Sequence, residues 1–251
     1  MSGHSKWHSI RHAKGVTDKR RGQLFSKLTR AIIVAAREGG PDPDANLALR
    51  NAVEKAREAS VPKDNIERAI ARGSGVGGDG AAYEHMTCEG YGPGGVAIYV
   101  EALTDNRNRT AAEVRSIFTK NEGSLGESGS VAWLFERQGI VLVEAEGVDE
   151  DELTLAAAEG GAEDVELDGS SFQISCAPED LHAVREAIEA AGIAIASAEI
   201  SMVPKTTLQI EDEGAARKIL RLMEQLEDLD DVQGVYANFD IPERILETAA
   251  S

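Results

Sequence analysis

Cysteine is scarce in this chain: only Cys88 and Cys176 occur among 251 residues, with neither CxxC nor metal-ligand spacing around them. That excludes a disulfide framework and a cysteine-based zinc centre, and leaves two thiols of the kind kept reduced in the cytosol. Aromatic residues make up 4% of the chain, too few to furnish a sheet on which successive bases stack. No uninterrupted apolar run approaches the roughly 18 residues that a membrane span needs. A cytoplasmic protein without a membrane partner is therefore expected. Acidic residues are plentiful except in one place. Through Arg37 there are nine Lys or Arg and a single acid, Asp18.

The formal net charge of −18 hides this asymmetry. Met1 to Arg72 holds 15 Lys/Arg against 8 Asp/Glu, net +7, whereas the remainder holds 11 against 36, net −25. A basic segment attracts phosphate polyanions, and a body of the opposite sign repels them beyond a Debye length of about 8 Å. The two parts are expected to face different partners. A secretory signal is ruled out by the lack of an apolar core in the first residues. A mitochondrial transit peptide is disfavoured because the basic stretch continues into a helix integral to the fold.

That helix begins near Thr17-Asp18 and stops at Gly39-Gly40-Pro41. Leu24, Leu28, Ala31, Ile32 and Ala35 share one arc at about 100° per residue. Lys19, Arg20, Lys27, Arg30 and Arg37 fall on the other, while Arg21 projects toward the apolar side. Asp42 or Asp44 is expected to cap a second helix through Ser60. Pro62 opens a third that Gly73 ends. Short loops make these a three-helix bundle. "GSGVGGDG" (73–80) reads as a linker.

Beyond it, strands alternate with helices. "GVAIYVEALT" (95–104), a helix over 108–123 and "VAWLF" (131–135) give β-α-β. The stretch from "IVLVEA" (140–145) to "IAIASAEISMV" (193–203) spells β-α-β-β-α-β, the ferredoxin-like order. "TTLQI" (206–210), a helix and "VQGVYANFDI" (232–241) complete the interrupted set. The expected fold class is α+β multidomain: an N-terminal three-helix bundle plus two interleaved ferredoxin-like α+β domains. The expected boundaries are 1–75 for the bundle, 76–136 with 205–251 for a discontinuous domain, and 137–204 for an inserted one.

Several motifs lack the context that their chemistry requires. "GSGVGG" (73–78) and "GYGPGG" (90–95) match GxGxxG, but the first follows a helix and the second runs into a strand, so neither is a dinucleotide loop. His4, His8 and His12 have helical spacing for a metal, yet Lys6, Arg11 and Lys14 interleave and repel a cation. No nucleophile–base arrangement stands out, and acidic runs such as Asp149 to Glu152 sit at a helix start. No cofactor, no metal and no enzymatic activity are expected. Tyr236 and Phe239 in "QGVYANF" are assigned to the core, because the leading base of an RNA-recognition signature is missing.

Two features do carry chemistry. In "TDNRNRT" (104–110), Arg107 and Arg109 join a strand to a helix N-terminus. They form either an anion site, or a loop capped by Asn106 or Asn108 whose arginines pair with local acids. "EGYGPGGV" (89–96) is expected to lie near them as a second contact loop or to form a tight turn. The opening segment is the stronger feature. Its nine bases, with Trp7 for stacking or packing, suit about 6 phosphate contacts and a log–log salt slope of about −5 on duplex DNA.

"GHSKWHSIRHAKGVTDKRRGQLFSKLTRAI", "PKDNIERAI", "EGYGPGG", "LTDNRNRTAAEVR" and "GSVAWLF" closely resemble the YebC/PmpR family, which includes the mitochondrial translational activator of cytochrome oxidase. The resemblance spans essentially the whole chain. It implies a helical domain followed by two interleaved α+β domains, and a cytoplasmic, non-enzymatic role in gene expression. Members are described as probable DNA-binding transcriptional regulators, and others as translation factors that act on ribosomes, including at proline-rich stalls. Carried over by position, Lys6, Trp7, Arg11, His12, Lys14, Arg20, Arg21, Lys27 and Arg30 make the nucleic-acid surface, to which the helical stripe adds Lys19. Tyr91, Arg107 and Arg109 belong to the second-site loops. The expected partner is DNA or the ribosomal or transfer RNA of the translation machinery, including the ribosome itself. RNA is favoured because the basic helix offers few base-reading side chains beyond Gln23 and its arginines. A small-molecule sensor using the paired α+β domains is the rival of a different class.

Overall fold

The structure, a computed structural model, describes residues 18–75, 83–242 and 245, with side chains from Arg21 onward. Helices α1 (Asp18–Gly39), α2 (Leu47–Glu58) and α3 (Lys63–Gly73) form the N-terminal bundle. The chain continues as β1 (Glu84–Tyr91), β2 (Ala97–Thr104), α4 (Arg107–Lys120) and β3 (Ser124–Leu125). Then come β4 (Phe135–Glu144), α5 (Glu150–Glu159), β5 (Ala162–Asp168), β6 (Ser171–Cys176), α6 (Leu181–Ala190) and β7 (Ser197–Pro204). It ends with β8 (Leu208–Gln209), α7 (Glu213–Glu227), β9 (Val232–Ala237) and β10 (Phe239–Asp240). The fold class is α+β. One compact unit spans Trp133–Thr207, and the other is assembled from the described residues on either side of it.

In the bundle, the spacing of apolar residues along α1 has the expected effect: Leu28, Ile32 and Ala35 are buried against Leu49 and Val53 of α2 and Ile66 of α3. Leu24, one turn earlier, is 37% exposed and lies off that core. The α2 cap is Asn46, not Asp42 or Asp44. Its carboxamide oxygen accepts from the Leu49 N–H at 3.1 Å, while its nitrogen donates to the Ala35 and Gly40 carbonyls at 2.7 and 2.9 Å. An aspartate has no donor with which to tie this cap to the end of α1. Gly73 does more than end α3. A Cβ there would sit 2.4 Å from the Ile33 carbonyl oxygen, so the close approach of α3 to α1 requires glycine.

Both α+β units lay two helices on one four-stranded antiparallel sheet. The Trp133–Thr207 unit has strand order β5-β6-β4-β7, the ferredoxin-like arrangement, with its core built around Val141, Leu153, Ile174 and Ile188. The other sheet has order β3-β1-β2-β9, covered by α4 and α7 through Val114, Phe118, Ile219 and Leu222. Its strands depart from expectation at several places. Leu208–Gln209, within the expected strand 206–210, is no part of this sheet and pairs in parallel with β10 in a two-stranded sheet of its own. Glu84–Tyr91 is a full strand in a hairpin with β2, although its sequence "EHMTCEGY" carries only Met86 and Cys88 as apolar inward residues. The expected strand at 131–135 is instead a 3-10 turn at Ala132–Leu134 followed by the start of β4. The Val131 and Ala132 N–H groups donate to the Glu89 carboxylate at 2.8 and 2.7 Å, which removes them from any ladder.

Candidate nucleic-acid interface

Of the residues expected to form the basic surface, Lys6, Trp7, Arg11, His12 and Lys14 lie outside the described residues. Lys19 and Arg20 are on α1, and their side chains are likewise outside the description. Arg21 is exposed, with its guanidinium 5.6 Å from the centre of the Phe25 ring, where positive charge meets the face of the π-system. Arg37, on the last turn, is also exposed.

Lys27 and Arg30 have other partners. Gln23, Lys27 and Arg30 are spaced i, i+4, i+7, one face of α1, and that face meets the segment from the end of α7 into β9. Gln23 Nε2 donates to the Asp228 carbonyl at 3.2 Å, Lys27 Nζ to the Glu227 carbonyl, and Arg30 to the Asp230 carbonyl. Arg30 also pairs with the Asp231 carboxylate at 2.8 Å and lies 5.3 Å from the Tyr83 ring centre.

Asp231 is the hub of this cluster. Its side chain is 6% exposed and receives Arg30 on Oδ1 and Arg109 on Oδ2 at 2.6 Å. The Thr110 and Thr104 hydroxyls reach Oδ2 at 2.7 and 3.1 Å. Burial alone would raise its pKa. The hydrogen bonds from Thr110 and Arg109, with the charges of Arg30 and Arg109, outweigh burial and hold the carboxyl below the ordinary aspartate value. The same bond to Asp231, aided by Asp105 at 2.8 Å, raises the Arg109 pKa. Beside this cluster opens a cavity of about 410 Å³ lined by Gln23, Arg30, Arg109 and the carboxylates of Asp105, Glu113 and Asp228 among others.

For "TDNRNRT" the local pairing alternative is what forms. Asn106 caps α4 by accepting from the Arg109 N–H at 3.1 Å, Arg109 is held by Asp105 and Asp231, and Arg107 approaches Glu84 at 3.4 Å and donates to the His85 carbonyl at 3.0 Å. Tyr91 is not near them. The β1–β2 register pairs Glu84 with Thr104 at one end and Tyr91 with Ala97 at the other, so about 20 Å of hairpin separates the tyrosine from both arginines. The expected closeness of these two loops is corrected by that register. Around Tyr91 the backbone makes a tight turn, with Gly94 and Gly95 at φ +72° and +82°. The tyrosine hydroxyl donates to the Ser130 carbonyl at 3.1 Å.

Glu89 organises this end of the sheet. It is 4% exposed, and its carboxylate accepts the N–H groups of Gly129, Val131 and Ala132 at 2.7 to 2.8 Å. Burial raises its pKa, and these three backbone bonds more than reverse the shift. Among the described residues, no three His, Cys, Asp or Glu side chains are grouped to hold a metal ion, and no helix is long and apolar enough to cross a membrane. Tyr236 is half-buried, 6.4 Å from Tyr99 between ring centres, and Phe239 is fully buried in the core.

Comparison with known families places this architecture. The model for the N-terminal domain of TACO1/YebC proteins matches residues 5–76, and the model for their second and third domains matches residues 83–239. The chain belongs to the TACO1/YebC family. Among its relatives, a protein of Rubrobacter xylanophilus named probable transcriptional regulatory protein is 57% identical over 250 residues, covering 100% of both chains. One of the same name from Natranaerobius thermophilus is 54% identical over 251 residues, covering 99% of this chain and 100% of its own. The crystal structure of a conserved hypothetical protein from Aquifex aeolicus superposes with a TM-score of 0.81 at 52% identity, covering 90% of this chain and 93% of that one.

Within this TACO1/YebC chain, sequence reasoning missed Asp231 and Glu89. Both are acids in a chain that has 44 of them, and nothing in "LEDLDDV" or "TCEGYG" separates a buried hub from a solvated carboxylate. The local acid Asp105 was the visible partner for Arg109, whereas Asp231 lies 122 positions away.

Proposed function

We propose that this protein is a non-enzymatic, nucleic-acid-binding regulator of gene expression. It grips phosphate backbone with its N-terminal basic segment and the first turns of α1, and its target is RNA of the translation machinery. The observation that carries the reading is the nine-to-one excess of base over acid through Arg37 in a chain of net charge −18. A face that only needs solubility has no reason to exclude acids. The exposure of Arg21 and Arg37 supports the same use of the helix. Lys6, Trp7, Arg11, His12, Lys14, Lys19 and Arg20 complete the proposed surface.

RNA is preferred over DNA because duplex reading needs side chains aimed at base edges. Beyond Gln23 and its arginines, α1 carries few such side chains. Backbone contacts position a protein but carry no sequence information, and a ribosome presents dense phosphate while leaving room for an acidic body. DNA-binding transcriptional control is the second reading, supported by the names of the relatives.

The discriminating experiment follows the tagged chain in ribosome sedimentation and in chromatin occupancy from the same cells. Ribosome co-sedimentation that is lost in Arg20→Glu/Arg21→Glu, without promoter occupancy, is expected. Discrete promoter footprints at physiological salt, with no ribosomal association, would replace RNA by DNA.

A further inference from the structure

The face of α1 that carries Gln23, Lys27 and Arg30 is both basic and already occupied. Its occupant is the segment Glu227–Asp231, "EDLDD", which offers three backbone carbonyls and one buried carboxylate. This is the donor–acceptor pattern of a phosphate backbone: oxygens with negative charge nearby, accepting from Lys, Arg and an amide.

The contact differs in kind from the packing on either side of it. The bundle closes on its own core around Leu28, Ile32 and Leu49, and the sheet closes on another around Val100, Phe118 and Leu222. The two clusters share no buried residue. Between them, α1 and the segment after α7 meet through hydrogen bonds and the Arg30–Asp231 ion pair. Tyr83, which follows the stretch joining the two, packs against the bundle core. Separating these surfaces leaves both cores intact, and the exposed groups are ones that water or phosphate can satisfy.

We infer that Glu227–Asp231 is a built-in competitor for the nucleic-acid-binding face of α1. In the free protein it holds Gln23, Lys27 and Arg30; binding of a phosphate backbone along the full helix requires α1 to leave it. The inference rests on the phosphate-binding reading of the N-terminal segment and specifies its regulation. The consequence has a definite sign. When the competent state is a minor fraction, apparent affinity falls by that fraction, so weakening the internal contact strengthens binding.

Asp231→Asn provides the test, because Asp231 holds Arg30 and is no part of the face offered to nucleic acid. Fluorescence anisotropy with a labelled ribosomal RNA fragment is expected to show affinity raised about two- to threefold, and raised more than by Glu113→Gln, which removes one charge from the lining of the same cavity. Hydrogen exchange of the full, unmodified chain gives a second readout: amides 228–232 are expected to exchange faster in the complex than in the free protein. Reduced affinity in Asp231→Asn, equal effects of the two charge-removing variants, or unchanged protection at 228–232 on binding overturns the inference. Failure of the parent reading looks different, since the unmodified protein would then bind no RNA and Arg21→Glu would change nothing.

Discussion

Asp231 draws two arginines and two threonine hydroxyls onto one nearly buried carboxyl group, and the Thr104 and Thr110 hydroxyls are themselves 2.8 Å apart. Such a network stabilises only when complete, because a donor left without its acceptor keeps its desolvation cost. Asp231→Asn keeps the shape but removes the charge that both guanidiniums answer, and urea unfolding is expected to show a loss of about 2–3 kcal/mol. The pH dependence follows from the sign of the shift. A carboxyl held below its unfolded value stabilises the fold above about pH 4, and that contribution disappears as pH falls through the folded value. Asp231 and Glu89 are both shifted in this direction, so acid unfolding of Asp231→Asn or Glu89→Gln is expected to start from lower stability and to fall less steeply. For Glu89→Gln, the loss at neutral pH should be about 2 kcal/mol, because an amide cannot accept from three N–H groups with both ends. The thiols behave oppositely. Burial pushes Cys88 up, and burial with the nearby Asp180, Glu163 and Glu179 pushes Cys176 up to about 11. Neither is a thiolate at neutral pH, and a disulfide-exchange reagent is expected to label both only as fast as the protein opens.

Helix α1 shows how one element serves two neighbours. Its apolar arc fills the bundle, its Gln23–Lys27–Arg30 face meets the segment after α7, and Arg21 and Arg37 remain exposed. Two glycine substitutions separate packing from propensity. Gly73→Ala drives a methyl into the Ile33 carbonyl and should cost about 1–3 kcal/mol. Gly22→Ala, with no described atom within 4 Å of its would-be Cβ, should add about 1 kcal/mol by helix propensity alone. Thermal unfolding would show the two midpoints moving in opposite directions. What periodicity could reveal was the arc itself: Leu28, Ile32 and Ala35 were placed correctly, as was the order of elements in the Trp133–Thr207 unit. Strand β1 was invisible because its buried face is made of Met86, Cys88 and Gly90 among charged neighbours, a pattern with little apolar weight. Lys27 and Arg30 were legible as basic residues on one stripe, but their partners lie about 200 positions away, and no local spacing encodes such a pairing.

Across the whole molecule, a basic N-terminal region and an acidic remainder make binding to polyanions strongly dependent on salt. With about 6 phosphate contacts to single-stranded RNA, log affinity should fall against log salt with a slope of about −4, and Arg20→Glu/Arg21→Glu should flatten it by more than one unit. The exposed leucines Leu155 and Leu167 belong to the Trp133–Thr207 unit. The strand register of that unit holds one further consequence. Its first and last strands are partners, with Phe135 opposite Pro204 and the Lys205 N–H bonded to the Leu134 carbonyl at 2.8 Å. The chain therefore leaves and rejoins the rest of the protein at points about 5 Å apart. A module attached in this way can be excised: replacing 133–207 by a two-residue turn should leave a cooperatively folding remainder, because the Phe118–Leu222 core draws nothing from it.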